Sequence, residues 1–136
     1  MTSTAIVNKM MQHDHFSQWL GIQVIEAKAG ACTLQLTVKE TMLNGFGIAH
    51  GGISYSLADS ALAFAANAYG QHAVSIETSI SHTAKCVVND VLTAHVTEIS
   101  KTRKIAIYTI AITNQNSVLI ASFKGTVLIS EKLWEE

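Results

Sequence analysis

The stretch HGGISYSLADSALAFAANAYG, from His50 to Gly70, decides the fold of this 136-residue chain. Small and apolar residues fill it, and Asp59 is its only Asp, Glu, Lys or Arg. An apolar stretch of this length without proline predicts one long helix, from Gly51 to about Tyr69, that is buried on most of its surface. A narrow strip of small and polar residues that includes Asp59 runs along one side of this helix. We therefore expect a central helix whose single carboxylate faces a cleft.

Strand patterns lie on both sides of the predicted helix. Before it, Ile22–Ala27 and Ala31–Val38 are rich in strand-forming residues and are separated by a glycine turn, which is typical of a hairpin. An amphipathic pattern from Ala5 to about Leu20 predicts a leading helix that ends at Gly21. After the long helix, four further stretches have strong strand signals: Ala73–His82, Val91–Ser100, Ile105–Thr113 and Val118–Ser130.

The connectors between these later strands are short and polar, which favours antiparallel neighbours. The element order of helix, hairpin, long helix and strand run predicts an α+β fold, with the helix packed on one face of a curved sheet. A length of 136 residues corresponds to a single domain spanning 1–136.

Composition excludes several classes of partner. Nine Lys and Arg against ten Asp and Glu give a net charge of −1 without a basic stripe, which argues against nucleic acid and anionic membranes. Only 14% of residues are charged, so we expect part of the surface to be buried against another subunit.

Neither a signal peptide nor a membrane span is predicted, which favours the cytoplasm. Cys32 and Cys86 lie in apolar stretches and are expected to be reduced core residues.

Three features near the long helix could carry chemistry. Asp59 would be a buried carboxylate, which costs several kcal/mol unless it is paired, although it could also serve a structural role. His50-Gly51-Gly52 opens the helix, where free backbone N–H groups and the positive end of the dipole can bind an oxyanion. A plain turn capped by His50 would have the same sequence. Asn44 offers an amide on the preceding loop, or simply a turn residue before a glycine.

The combination is more specific than its parts. The chain resembles the active-site segment of hotdog-fold acyl-CoA thioesterases of the phenylacetic-acid-degradation type. Three stretches carry the resemblance in their order and spacing: TMLNG at 41–45, HGG at 50–52 and SLADSA at 56–61. The resemblance implies a hotdog fold in which Asp59 activates a water molecule or attacks the thioester carbonyl itself. The Gly51 N–H would stabilise the oxyanion, Asn44 would orient water or substrate, and His50 would support the loop. Ser60 could hold water.

The same resemblance implies that two copies of the chain share each active site, with Asp59 of one protomer facing Asn44, His50 and Gly51 of the other. A homodimer would be the active unit, and such dimers often pair into homotetramers. The phosphates of coenzyme A need cations, for which Lys85 and the 101–104 turn (Lys101, Arg103, Lys104) are candidates. Many family members have a Pro-Gly pair before the next strand, and this chain lacks it, so the loop that follows Lys85 could differ in shape.

The favoured function is hydrolysis of an acyl- or arylacyl-CoA, such as phenylacetyl- or hydroxyphenylacetyl-CoA, without a cofactor. A hotdog-fold dehydratase or hydratase and a non-catalytic acyl-CoA-binding protein are the alternatives. No metal site is expected, because His13 and His15 have no third ligand at suitable spacing. Apolar and aromatic residues are expected to line the acyl pocket: Phe46, Ile48, Tyr55, Leu62, Phe16 and Trp19.

Overall fold

A computed structural model describes residues 1–136 as three α-helices, a short 3₁₀ helix and six strands. None of the helices combines the length and the apolar character that crossing a membrane requires. In chain order the elements are α1 (Ser3–His13), α2 (His15–Trp19), β1 (Gln23–Glu26), β2 (Thr33–Thr37), a 3₁₀ helix (Glu40–Met42), α3 (Gly51–Asn67), β3 (Gln71–His82), β4 (Val91–Lys101), β5 (Ile105–Thr113) and β6 (Leu119–Leu133).

The six strands form one antiparallel sheet in the order β1-β2-β4-β5-β6-β3. Strands β1 and β3 are therefore its two edges. The strand pairing is irregular in β3 between Ser75 and Glu77, and in β4 between Glu98 and Ser100. These irregularities add curvature to the sheet. Because α3 connects β2 to the opposite edge, it must cross a face of the sheet. The predicted α+β fold, with a long helix against a curved antiparallel sheet, is confirmed.

The core lies between α3 and the concave face of the sheet. Helix residues such as Leu57 and Phe64 are fully covered, as are Tyr108 of β5 and Phe123 of β6. Burying each such large side chain contributes about 1.5–3 kcal/mol. Both cysteines are buried and unpaired, as predicted. This packing fixes α3 against the sheet and, with it, the position of every residue on the helix.

The prediction of one leading helix from Ala5 to Leu20 is wrong, because the chain breaks at Asp14. The backbone N–H of Asp14 closes α1, while its carboxylate accepts a hydrogen bond from the Ser17 N–H at 2.9 Å and caps α2. A side chain that caps a new helix competes with continuation of the old one. Gly21 follows α2 in the left-handed conformation, with φ of 74°, as expected for the residue that ends a helix.

Candidate active site

Asp59 lies on the third turn of α3 and lines a cavity of about 350 Å³. Its carboxylate is half-buried and has no hydrogen-bond partner within the chain. Burial raises the pKa of this carboxyl above its ordinary value, and the charge of Asp14 raises it further. The other lining residues are Met10, Leu62, Ala63, Asn67, His72, Ala73, Val74, Ser75, Val127 and Trp134.

An unpaired carboxylate with a raised pKa is a stronger base than an ordinary carboxylate and can accept a proton from water. Structural carboxylates usually show the opposite pattern of bonding, in which backbone N–H groups or cations hold the charged form. In this chain Asp14 illustrates that pattern of bonding, since it caps α2 and accepts a 2.6 Å hydrogen bond from the Ser17 hydroxyl. Asp59 has no such partners, so its placement costs stability and indicates a chemical role.

A second cavity, of about 450 Å³, lies at the start of α3. Gly51 lines it, and the Gly51 N–H has no hydrogen-bond acceptor in the chain. The next amide, on Gly52, donates at 2.8 Å to Nδ1 of His50, which therefore caps the helix. His50 is thus a capping residue, and Gly51 retains the free amide at the positive end of the helix dipole. A free N–H in that position can stabilise a negatively charged oxygen.

His82, at the end of β3, lies close to Gly51 at the start of α3. A Cβ at Gly51 would lie 3.1 Å from Nε2 of His82, and Nδ1 of His82 is 3.4 Å from the Ser54 hydroxyl. His82 also lines the second cavity. Sequence reasoning missed this residue, because a single histidine at a strand end has no local signal and only the packing of β3 on α3 brings it to the helix start.

The side chain of Asn44 stabilises a turn through its oxygen and has a free N–H donor on its nitrogen. Its Oδ1 accepts hydrogen bonds from the backbone N–H groups of Phe46 at 2.9 Å and Ile48 at 3.4 Å. The turn interpretation is therefore correct for the oxygen. Its Nδ2 has no acceptor in the chain, and Asn44 lines the same cavity as Gly51. The structure thus brings two unused N–H donors, from Gly51 and Asn44, to one cavity.

The remaining uncharged candidates lie outside both cavities. The Tyr55 hydroxyl bonds to that of Thr78 at 2.6 Å, and the Ser60 hydroxyl lies 2.8 Å from that of Ser17. The Phe46 side chain is 91% exposed at the tip of its loop. Within one protomer the two hydroxyls serve local hydrogen bonding, and the role of all three residues toward substrate stays a prediction.

The expected pocket residues divide between the two cavities and the surface. Ile48 lines the cavity at the start of α3, and Leu62 lines the one beside Asp59. Phe16 and Trp19 are exposed on α2 and line neither cavity of the single protomer, and their place in the acyl pocket stays a prediction. The N-terminal helical region contributes Met10 instead.

The basic residues that are candidates for binding the phosphates of coenzyme A lie in two separate places. Lys85 is exposed on the rim of the cavity that holds Gly51. The 101–104 turn lies at the opposite end of the sheet, where the carbonyl of Lys104 accepts from the N–H of Ile129. Lys101 packs over the ring of Tyr69, with its Nζ 4.5 Å from the ring centroid. A phosphate site that uses both groups therefore requires residues from more than one protomer. No group of three or more His, Cys, Asp or Glu side chains is arranged to hold a metal ion.

Comparisons with known proteins agree with this geometry. The sequence pattern of the thioesterase superfamily matches residues 46–121. The acyl-coenzyme A thioesterase PaaI of Escherichia coli K12 is 34% identical over 85% of this chain and 83% of its own length. The structure of E. coli PaaI, from the phenylacetic acid degradation operon, superposes with a TM-score of 0.94 at 30% identity and covers 96% of this chain and 95% of that one.

A Streptococcus mutans protein solved with bound acetyl-CoA shares the fold at 22% identity, with a TM-score of 0.79 over 83% of this chain and 91% of its own. The matched segment begins on the loop before α3 and contains both the free Gly51 amide and Asp59. Together with the long helix and the six-stranded antiparallel sheet, this match places the chain in the thioesterase superfamily, with the hotdog fold of PaaI.

Proposed function

We propose that this protein is an acyl-CoA thioesterase, which hydrolyses a thioester to a carboxylic acid and the free thiol of coenzyme A. The observation that carries the proposal is Asp59, a half-buried carboxylate with a raised pKa and no partner in the chain. A binding protein has no need of such a group, because it costs stability and offers nothing to an uncharged acyl chain. The relatives named as acyl-CoA thioesterases support the same activity.

In the proposed reaction the thioester carbonyl accepts a hydrogen bond from the Gly51 N–H, which polarises it. Asp59 removes a proton from a water molecule as the water oxygen bonds to the carbonyl carbon, and the oxyanion is held by Gly51. The C–S bond then breaks, the thiolate leaves with the proton, and the acid is released. Direct attack by the Asp59 oxygen, followed by hydrolysis of the resulting anhydride, uses the same groups. Asn44 would donate from Nδ2 to the water or the substrate.

The active unit is proposed to be a homodimer. Along α3, Gly51 and Asp59 are eight residues apart, which is about 12 Å, so one chain cannot bring both to the same carbonyl. Strand β3 is an edge, and it exposes Ile76. A two-fold axis that pairs β3 with its copy places the Val74 end of one strand beside the His82 end of the other. The cavity of Asp59 then meets the partner's cavity of Gly51.

The first experiment is a thiol-release screen over phenylacetyl-, hydroxyphenylacetyl-, benzoyl- and straight-chain CoA esters, with the Asp59→Asn protein as blank. We expect hydrolysis of at least one ester and its loss in the variant. Hydration of crotonyl-CoA in place of thiol release would indicate a hydratase. Tight acyl-CoA binding without turnover would indicate a binding protein.

A second experiment tests the shared site. Ile76→Lys places a charge on the exposed edge strand β3, and charged side chains discourage strand pairing at an edge. The control is Ile25→Lys on β1, the other edge strand, which is similarly exposed. We expect Ile76→Lys to yield monomers in sedimentation and to lose hydrolysis, whereas Ile25→Lys keeps both. A monomer with full activity would reject the two-chain site.

A further inference from the structure

Trp134, the residue just after β6, forms a wall of the cavity that holds Asp59. Its backbone N–H donates to the carbonyl of Gly70 at 2.9 Å. Its indole Nε1 donates to Oδ1 of Asn67, also at 2.9 Å. The ring stacks on His72 with 4.1 Å between centroids and 13° between planes. These contacts hold the backbone and the side chain of Trp134 in one orientation.

Asn67 makes this anchoring rigid. It is buried at the end of α3, and its Nδ2 donates to the carbonyls of Ala63 at 2.8 Å and Ala73 at 2.9 Å. Its Oδ1 accepts from the N–H of Ala73 as well as from the indole of Trp134. A buried amide whose hydrogen-bonding groups are all satisfied locks the elements it connects. The indole is thereby fixed to the helix and to the start of β3.

Trp134 also borders two cavities. One is the cavity of Asp59, about 350 Å³, and the other is a smaller one of about 240 Å³. Trp134 and Met10 line both of them. Beyond the indole, the smaller cavity is bordered by Lys9, His13 and Asp14. An indole that forms a wall of both cavities limits how far an apolar ligand in one can extend into the other.

We propose that Trp134 is a specificity-determining residue that ends the acyl pocket and restricts the substrate to compact acyl groups, such as an arylacetyl or a short to medium chain. This inference rests on the proposed thioesterase function. The thioester carbonyl has to lie within reach of Asp59, so its acyl group extends into the cavity that Asp59 lines. Leu62, Ala63 and Val127 give that cavity apolar walls. Its volume is in the range of small-molecule pockets, and the indole of Trp134 is one of its walls.

The first test compares acyl-CoA chain-length profiles, from acetyl to palmitoyl together with phenylacetyl, for Trp134→Ala and Trp134→Phe. Removing the indole takes away a wall that the two cavities share. We expect kcat/KM for dodecanoyl-CoA relative to phenylacetyl-CoA to rise about 10-fold or more in Trp134→Ala, and less in Trp134→Phe, because a pocket discriminates by about that factor for small changes in fit. The matched control is Val118→Ala, which truncates an exposed apolar side chain that lines neither cavity.

The second test does not depend on turnover or on the stability of a Trp134 variant. The chain has two tryptophans, so Trp134 is the only one left in Trp19→Phe. In the Trp19→Phe, Asp59→Asn protein, we expect phenylacetyl-CoA to change the Trp134 emission and free coenzyme A to leave it unchanged. Calorimetry on the same samples measures binding independently.

Phenylacetyl-CoA that binds by calorimetry without altering Trp134 emission would overturn the proposal. An unchanged chain-length profile in folded Trp134→Ala would do the same. Both results leave thioester hydrolysis by the wild-type protein intact, so they are distinct from failure of the proposed function, in which no ester releases thiol.

Discussion

Replacing Asp59 by asparagine should separate activity from stability. The substitution keeps the size and shape of the side chain and removes its charge and its capacity to accept a proton. General bases contribute about 100-fold or more to rate. We therefore expect hydrolysis to fall at least about 100-fold, which corresponds to about 3 kcal/mol of activation free energy. The fold should be preserved, because the carboxylate makes no hydrogen bond in the chain.

The same substitution should raise the melting temperature at neutral pH. The folded pKa of Asp59 is raised above the ordinary value of 3.8. As the pH rises through 3.8, the unfolded chain loses this proton first, so folding stability falls until the folded carboxyl has also ionised. Below 3.8 the penalty is absent. Because solvent screens a half-exposed carboxyl, this penalty is small, and we expect a modest rise in melting temperature.

The assays are thiol release, for the rate, and circular dichroism melting at pH 7.5 and at the lowest pH at which the protein folds. The gain in melting temperature of Asp59→Asn should shrink toward acid pH. A variant that hydrolyses within about fivefold of wild type, or that melts lower at pH 7.5 than wild type, would refute the argument that an unpaired carboxylate is kept here for chemistry.

Three further predictions follow from neighbouring contacts. Asp14→Asn keeps a good helix cap and removes the charge that raises the pKa of Asp59, so the acid limb of the pH profile of kcat/KM should move to lower pH. Asn44→Asp keeps the oxygen that makes the turn and removes the free donor, so kcat should fall about 10-fold or more, with an unchanged melting temperature. Gly125→Ala would place a Cβ 2.5 Å from a methyl of Leu62, and denaturant unfolding should show a loss of about 1–3 kcal/mol.

The elements that the sequence predicts well are those whose signal is local. Strand β5 was expected and is found at Ile105–Thr113, and α3 begins at Gly51 as its glycines and its capping histidine indicate. The break between α1 and α2 escaped prediction because it depends on a competition at Asp14. The carboxylate of Asp14 can either remain on the surface of a continuous helix or cap a new one, and the apolar pattern is similar in both cases.

The residues of the candidate site likewise divide into those with a local sequence signal and those without one. Asp59 could be predicted because it is the one charge in a long apolar stretch, which is a property of sequence alone. His82 and Trp134 could not be predicted, since each lies at the end of an ordinary strand pattern. Trp134 reaches the cavity because β6 pairs with β3 along its whole length, and this pairing carries the end of the chain back to the end of α3. Such contacts depend on sheet order, which periodicity does not encode.

The position of the two halves of the candidate site on α3 has a physical reason. The free Gly51 amide must lie at the helix start, because only the first turn has N–H groups without acceptors. A proton acceptor in that turn would be held in its charged form by the helix dipole and would become a weaker base. Asp59, two turns further along and in an apolar cavity, has its pKa raised instead. One helix thus offers an N–H donor and a carboxylate in opposite electrostatic environments, about 12 Å apart, and in the proposed dimer two antiparallel copies would bring one of each to the same carbonyl.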